Sequence, residues 1–376
     1  MSTLGEQGAV TALAAVAAAP DGPFEFQEVE VLPPRADEVR VRIVAAGICH
    51  TDVAVKEQSV QLPLPMVLGH EGAGVVEAVG SAVRHLRVGD PVVLAGDSCG
   101  ECRRCHAGLP FYCDEFVERN LTGFRVDGTS PLSHRGDALR GRFVGQSSFA
   151  TQVVATARSA IKVPADLPLE LLGPLGCGLT TGVGTVVNAL KPPAGSSIAV
   201  FGAGTVGLAA VMGARLAGCA RIICVDVRPA RLAMAEAVGA TDVVNAAEED
   251  AAEAILGRVP GGVDFSAECS GVAEAVAAAI RCLGRPGWCA QVGATPAGTE
   301  VPLDMDHVGF GRGIRGVVMG DANTQTFVPY LAALFRDGRL PFDRFVRFYD
   351  FDAIDQAVHD SAVTGEVIKP VLRMPA

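Results

Sequence analysis

A short apolar segment that runs straight into glycine-x-glycine-x-x-glycine and then into a helical stretch leaves few folds open. Residues 198–201 (Ile-Ala-Val-Phe) do this, followed by Gly202-Ala-Gly204-Thr205-Val206-Gly207. The apolar run is too short for a helix and suits a buried strand. Gly202 permits the tight turn, and Gly204 lets the loop amides, with Thr205 and Val206, close on a pyrophosphate. Gly207 lets the next helix lie against the strand. The partial positive charge and unpaired amides of that helix N-terminus favour an anion there. A second apolar run, residues 221–225, ends in Asp226, nineteen residues after Gly207. A carboxylate at that distance can accept both ribose hydroxyls of an adenosine. Strand, turn, helix and acid in this order predict a dinucleotide site.

A chain of 376 residues, 49% hydrophobic and with 44 glycines, has room for two domains and suits an α/β protein rich in turns. No run approaches the ~20 apolar residues of a membrane span. The apolar residues 9–19 have no Lys or Arg before them, the first basic residue being Arg35, so residues 10–16 are expected as a first strand rather than an export signal. The expected location is the cytoplasm. A net charge of −11 without a basic cluster argues against nucleic acid or an anionic membrane as partner. In such a chain the eleven cysteines point to metal binding or burial rather than disulfides.

Residues 24–46 alternate apolar and polar positions, as a half-exposed antiparallel sheet does. Next, Gly47-Ile-Cys49-His50-Thr51-Asp52 places a thiol, an imidazole, a hydroxyl and a carboxylate together, and Gly69-His70-Glu71-Gly72 adds a second imidazole and carboxylate. Cys177 stands between two glycines just before the nucleotide-binding stretch. Cys49, His70 and Cys177 would form a two-thiolate, one-imidazole set with a fourth position open, which suits catalytic zinc. Cys99, Cys102 and Cys105, followed by Cys113, form the densest motif in the chain. Four thiols at that spacing predict a closed tetrahedral zinc. Iron–sulfur clusters and nucleic-acid zinc ribbons use similar runs; the acidic balance disfavours the ribbon, and the dinucleotide fold favours structural zinc.

Residues 120–145 carry turn signals at Asp127-Gly128 and Arg135-Gly136, strand character resumes at 149–154, and 166–174 is expected as a link. From 179 to about 319, strands alternate with Ala-rich helices, including helices at 231–238, 251–256 and 273–283 and strands at 243–245, 263–267 and 288–292, as in a doubly wound domain. Cys219, Cys224, Cys269, Cys282 and Cys289 lack metal spacing and are expected as small buried residues, and His85, His106, His134, His307 and His359 as surface histidines. A helix at 326–336 and a closing segment through Lys369 are expected to rejoin the first lobe.

The motifs GICHTD, GHEGAGVVEAVG, CGECRRCHAGLPFYC, GCGLTTG, GAGTVG and VDVRPAR, in this order, resemble those of the zinc-dependent medium-chain alcohol dehydrogenases over nearly the whole chain. The resemblance implies an α/β architecture: a GroES-like, mostly-β catalytic domain (residues 1–178, completed by 321–376) with an inserted doubly wound Rossmann domain (179–320). It implies two zinc ions per chain, one on Cys49, His70 and Cys177 with Glu71 beside it and Asp52 behind His70, the other on Cys99, Cys102, Cys105 and Cys113. It places His50 and Lys369 at the cofactor pyrophosphate, Asp226 and Arg231 at the adenosine ribose, and Thr51 at the substrate alcohol. The implied cofactor is NAD, since Asp226 would repel a 2′-phosphate, with Arg228 as a partial counterweight. The implied reaction is metal-assisted hydride transfer from an alcohol to nicotinamide, with Thr51 taking the proton. Many members carry a relay histidine three residues after that hydroxyl, where this chain has Ala54.

Positions matching the family's substrate pocket are Thr51, Ala95, Phe143, Val144, Ala294 and Val318, which imply an apolar pocket for a large alcohol. Residues 316–323 and 340–343 resemble the aryl (benzyl) alcohol dehydrogenase branch, whose substrates are benzylic or allylic, and the implied assembly is a homodimer or homotetramer. Two other readings stand beside this one. A thiol-adduct formaldehyde dehydrogenase on the same scaffold should need a cationic cluster at the pocket mouth, and a non-catalytic dinucleotide- and zinc-binding protein would reduce no cofactor with any alcohol.

Overall fold

The computed structural model describes residues 8–20 and 22–375; residues 1–7 and 376, which the sequence reading assigned to the catalytic domain, lie outside it with 21. Two compact units result, one of Met1–Cys177, Asn323–Asp337 and Val346–Ala376, the other of Gly178–Ala322 and Gly338–Phe345.

In the first unit Val10–Ala17 pairs antiparallel with Glu25–Val31, within a five-stranded sheet. The second sheet is built on Glu38–Gly47, which pairs antiparallel with Glu71–Val79, Gln152–Thr156 and Lys369–Arg373. The apolar faces of both sheets supply one core, including Val41, Ile43, Val76, Phe149 and Leu372. Register decides the site. Gly47 faces Glu71 on one side and Val371 on the other, so the chain leaves one strand at Cys49 beside the point where His70 enters the next, and Lys369 crosses behind both. Gly47 has to be glycine, because a Cβ there would lie 2.1 Å from Oε2 of Glu71.

A buried ionic network crosses this unit. Glu38 receives both Nε and Nη2 of Arg125 at 2.7 and 2.8 Å, and Nη1 of Arg142 at 3.1 Å. Arg142 and Arg119 each also donate to Asp97, both at 3.2 Å. Burial pushes the Glu38 carboxyl up, but the Arg125 bond and the Arg35 amide outweigh it and hold it below the usual glutamate value. Stability from a group depressed in this way is fully present above its unfolded pKa and is lost as pH falls through the folded one. Glu38→Gln is therefore expected to cost about 3 kcal/mol at neutral pH, the scale of breaking one partner out of a buried pair. The cost should shrink between neutral and acidic pH, as wild-type Glu38 itself becomes protonated below the usual glutamate range. Urea midpoints of both proteins at the two pH values check this, and an equal difference at both would contradict it.

The second unit is the doubly wound sheet. Its six parallel strands are, in spatial order, Asp242–Asn245, Arg221–Asp226, Ser197–Phe201, Val263–Glu268, Leu283–Gln291 and Arg312–Gly316. With the strands numbered along the chain this is order 3-2-1-4-5-6, whose reversal beside the first strand opens a crevice at the strand C-termini.

Several expectations shift in detail. Residues 166–174 contain a helical turn, Leu169–Leu172, rather than a plain link. Cys224, Cys282 and Cys289 are buried, but Cys219 and Cys269 are partly exposed, because they stand just past the ends of a helix and a strand. His134 and His307 are half-buried rather than superficial, bonding to carbonyls of Glu28 and Ile280. Among the described residues no helix is long and apolar enough to cross a membrane.

Candidate active site and metal centres

Cys49 caps the helix His50–Lys56, whose third residue, Asp52, reaches back to accept the Cys49 amide at 2.9 Å. The other oxygen of Asp52 accepts the Gly69 amide and meets Nδ1 of His70, both at 2.9 Å. One carboxylate, 1% exposed, thus ties the Cys49 turn to the His70 turn. A carboxylate on Nδ1 fixes the tautomer and leaves Nε2 free to ligate. The ligand atoms of Cys49, His70 and Cys177 lie within 4.8 Å of one another. A hydrogen bond from Cys177 pulls the Cys49 thiol well below its ordinary range, against the opposing effect of burial, and the charges of His70 and Lys369 pull the same way. Two soft sulfur donors, one imidazole and a carboxylate behind it suit zinc with one position left for substrate.

The hydroxyl of Thr51 lies 3.8 Å from Sγ of Cys49, so it sits beside the donor set; both Thr51 and His50 are exposed. Glu71 is fully buried and paired with Lys369. This gives Lys369 a partner that the sequence did not reveal. Lys369, expected at the cofactor pyrophosphate, is 2% exposed and aims Nζ at both Glu71 oxygens (3.0 and 2.8 Å) and the Ile48 carbonyl (2.9 Å). The physical reason is that a buried carboxylate needs a counter-ion. Burial pulls the ammonium pKa down, but Glu71 and Cys49 outweigh that and hold Lys369 charged.

Of the expected pocket residues in this unit, Ala95 and Phe143 are wholly buried. The Ala95 amide is bonded inward to Ser159, and the Phe143 ring packs edge-on against His70 at 5.5 Å. Val144 is partly exposed, with φ 47°. Ala294 and Val318 belong to the second unit, where both are exposed.

The second cluster, Cys99, Cys102, Cys105 and Cys113, also has its sulfurs within 4.8 Å. Sγ of Cys99 and Cys105 are 3.8 Å apart, about the sulfur–sulfur edge of a tetrahedron with zinc–sulfur bonds of about 2.3 Å. Backbone amides point at the sulfurs, among them Cys102 N to Cys99 at 3.2 Å and Cys99 N to Cys113 at 3.3 Å. Amides of Asp114 and Cys105 bring Cys102 down to about 6, while burial pushes Cys105 up and Cys113 up to about 12.

In the second unit Gly202 has φ 89° and donates to Val225 O, and a Cβ on Gly207 would lie 1.7 Å from Gly202 O. A Cβ on Gly204 would meet nothing within 4 Å, so the turn keeps open room before Thr205 and Val206, which start the helix Thr205–Ala217. That space fits a pyrophosphate. Asp226 ends its strand and accepts the Ala203 amide at 2.7 Å and the Arg228 amide at 2.9 Å, and Arg231 is half-buried near it.

One residue escaped the sequence reading. Gln146, wholly buried, accepts the Gly72 amide at 3.0 Å and donates to the His70 carbonyl at 2.9 Å. The available signal was the polar run Gln146-Ser147-Ser148 set between phenylalanines.

Residues 35–165 match the alcohol dehydrogenase GroES-like domain and residues 205–336 the zinc-binding dehydrogenase domain. The chain is similar to a geraniol dehydrogenase of Castellaniella defragrans, 42% identical over 97% of this chain and 98% of that protein. Among solved structures it resembles an alcohol dehydrogenase zinc-binding domain protein from Burkholderia ambifaria (TM-score 0.96, 47% identity, 98% of this chain and all of the other). It also resembles the benzyl alcohol dehydrogenase of Acinetobacter calcoaceticus (TM-score 0.94, 42% identity, 97% of this chain and all of the other). With relatives this close matched from end to end, the chain belongs to the zinc-dependent medium-chain alcohol dehydrogenases and is an alcohol dehydrogenase.

Proposed function

We propose that the protein is an NAD-dependent oxidoreductase that interconverts a primary alcohol bearing an aryl or allylic group with its aldehyde. The observation that carries this reading is the Cys49, His70 and Cys177 donor set with Asp52 on the outer nitrogen of His70. Bound there, zinc supplies Lewis acidity toward an alcohol oxygen, while nicotinamide supplies the hydride acceptor. Asp52 keeps His70 in the ligating tautomer, Lys369 balances Glu71 behind the donor set, and the Thr51 hydroxyl, beside Cys49, receives the alcohol proton. The aryl or allylic preference rests on two relatives, one named for benzyl alcohol and one for geraniol. Conjugation also stabilises the product carbonyl.

The cofactor choice rests on Asp226, which would accept the ribose hydroxyls and repel a 2′-phosphate. With benzyl alcohol as substrate, initial rates at equal subsaturating cofactor should be higher with NAD. Faster reduction of NADP would refute this role for the acid.

Proton exit is proposed through His50, an exposed imidazole next to Thr51, since Ala54 cannot carry a proton. His50→Gln keeps a hydrogen-bond donor but cannot pass a proton on, so it should lower kcat. A raised KM for NAD with unchanged kcat would mean that His50 only contacts the pyrophosphate.

A further inference from the structure

Residues 143–149 lie along the His70 turn and bind it peptide by peptide. Four consecutive carbonyls are engaged: Val67 by Ser147 Oγ (2.6 Å), Leu68 by the Phe149 amide (3.0 Å), Gly69 by the Ser148 amide (2.8 Å) and His70 by Gln146 Nε2 (2.9 Å). Oε1 of Gln146 then takes the Gly72 amide at 3.0 Å, so one planar side chain spans Glu71 and fixes the backbone on both sides of it. The partners leave no choice of amide orientation, because a carbonyl only accepts and an amide N–H only donates. The segment that delivers Gln146 is itself unusual. Val144 and Ser147 have φ 47° and 57°, a left-handed conformation that side chains rarely adopt and that clusters at functional positions. Asp52 holds the ring through Nδ1 and Phe143 packs on the ring edge-on, but neither holds the peptide from which the ring projects.

We propose that Gln146 is a positioning residue for His70, fixing the His70–Gly72 backbone so that Nε2 meets the two thiolates in a preformed metal site. This rests on the reading of Cys49, His70 and Cys177 as the catalytic metal set. Only a side chain with one donor and one acceptor at that reach does the job. Methionine, of similar length, leaves both backbone groups unpaired, and asparagine, one methylene shorter, can reach only one of them.

The test is cobalt substitution and metal release in wild type, Gln146→Met and Gln146→Asn. In the Met variant the four-thiolate metal stays bound, the cobalt bands of the three-donor site shift, and affinity for the metal there falls about 10- to 100-fold, the usual effect of losing an outer partner of a ligand. The Asn variant lies between Met and wild type, and carries the test alone if Met fails to fold. The KM for NAD stays unchanged in both while kcat falls. A lowered melting temperature with unchanged cobalt spectrum and unchanged metal release would show Gln146 to be structural glue and overturn the proposal. A wild-type protein showing no thiolate–cobalt band from the three-donor site would overturn the metal reading itself, and the positioning role with it.

Discussion

Cys177→Ser is expected to leave a folded protein that keeps the metal of the four-cysteine lobe and has lost alcohol oxidation. The substitution exchanges a soft thiolate for a hydroxyl that does not ionise near neutral pH, in a set with only two other donors. The loss of turnover should exceed the 10- to 100-fold that follows removal of an outer partner of a ligand. Metal content should fall from two zinc ions per chain toward one, with far-ultraviolet circular dichroism unchanged. Cys177 directly follows a short turn at the end of the first segment of its unit, outside any strand or long helix, so the backbone fold does not depend on its sulfur. A variant with full zinc and more than a tenth of wild-type activity would sink this assignment.

Cys102→Ser should reverse the pattern of damage. Its lobe has little else to hold it: the helix Arg103–His106 is one turn long and has no buried residue, and the lobe closes on sulfur. Structural zinc contributes folding energy outright in such a loop. The variant should therefore lose one metal and become protease-sensitive around residues 99–113. Its apparent unfolding temperature should drop by on the order of 10 °C, a few kcal/mol for a domain of this size. The fraction that remains folded should keep its KM for alcohol. Scanning calorimetry with metal analysis on the same sample checks this, and an unchanged melting curve after loss of the metal would contradict it.

What the sequence made legible was local. The glycine turn and Asp226 stand at the ends of consecutive strands, and the four-thiol lobe spans fifteen residues, so spacing alone carries the chemistry. The three-donor set was legible because each member sits in a short motif, although only strand register explains why Cys49 and His70 meet. The Lys369–Glu71 ion pair was not legible because the partners lie 298 positions apart and nothing local signals a buried ion pair. The Glu38, Arg142 and Asp97 network hid for the same reason, its members being 104 and 45 positions apart. Gln146 binds a turn 76 residues back, in a conformation with two left-handed neighbours that no periodicity encodes. Ala95 and Phe143 follow the family's pocket pattern and are buried, Phe143 with its ring against His70.

The most direct test of the account is a series of specificity constants with NAD for benzyl alcohol, cinnamyl alcohol, geraniol and ethanol. An apolar site gains about 10- to 200-fold for each methylene it can bury, and conjugation favours the carbonyl product. The proposed activity predicts kcat/KM for each of the three conjugated alcohols at least about a hundredfold above that for ethanol. Ethanol matching or exceeding them, or no reduction of NAD with any of the four, would contradict it.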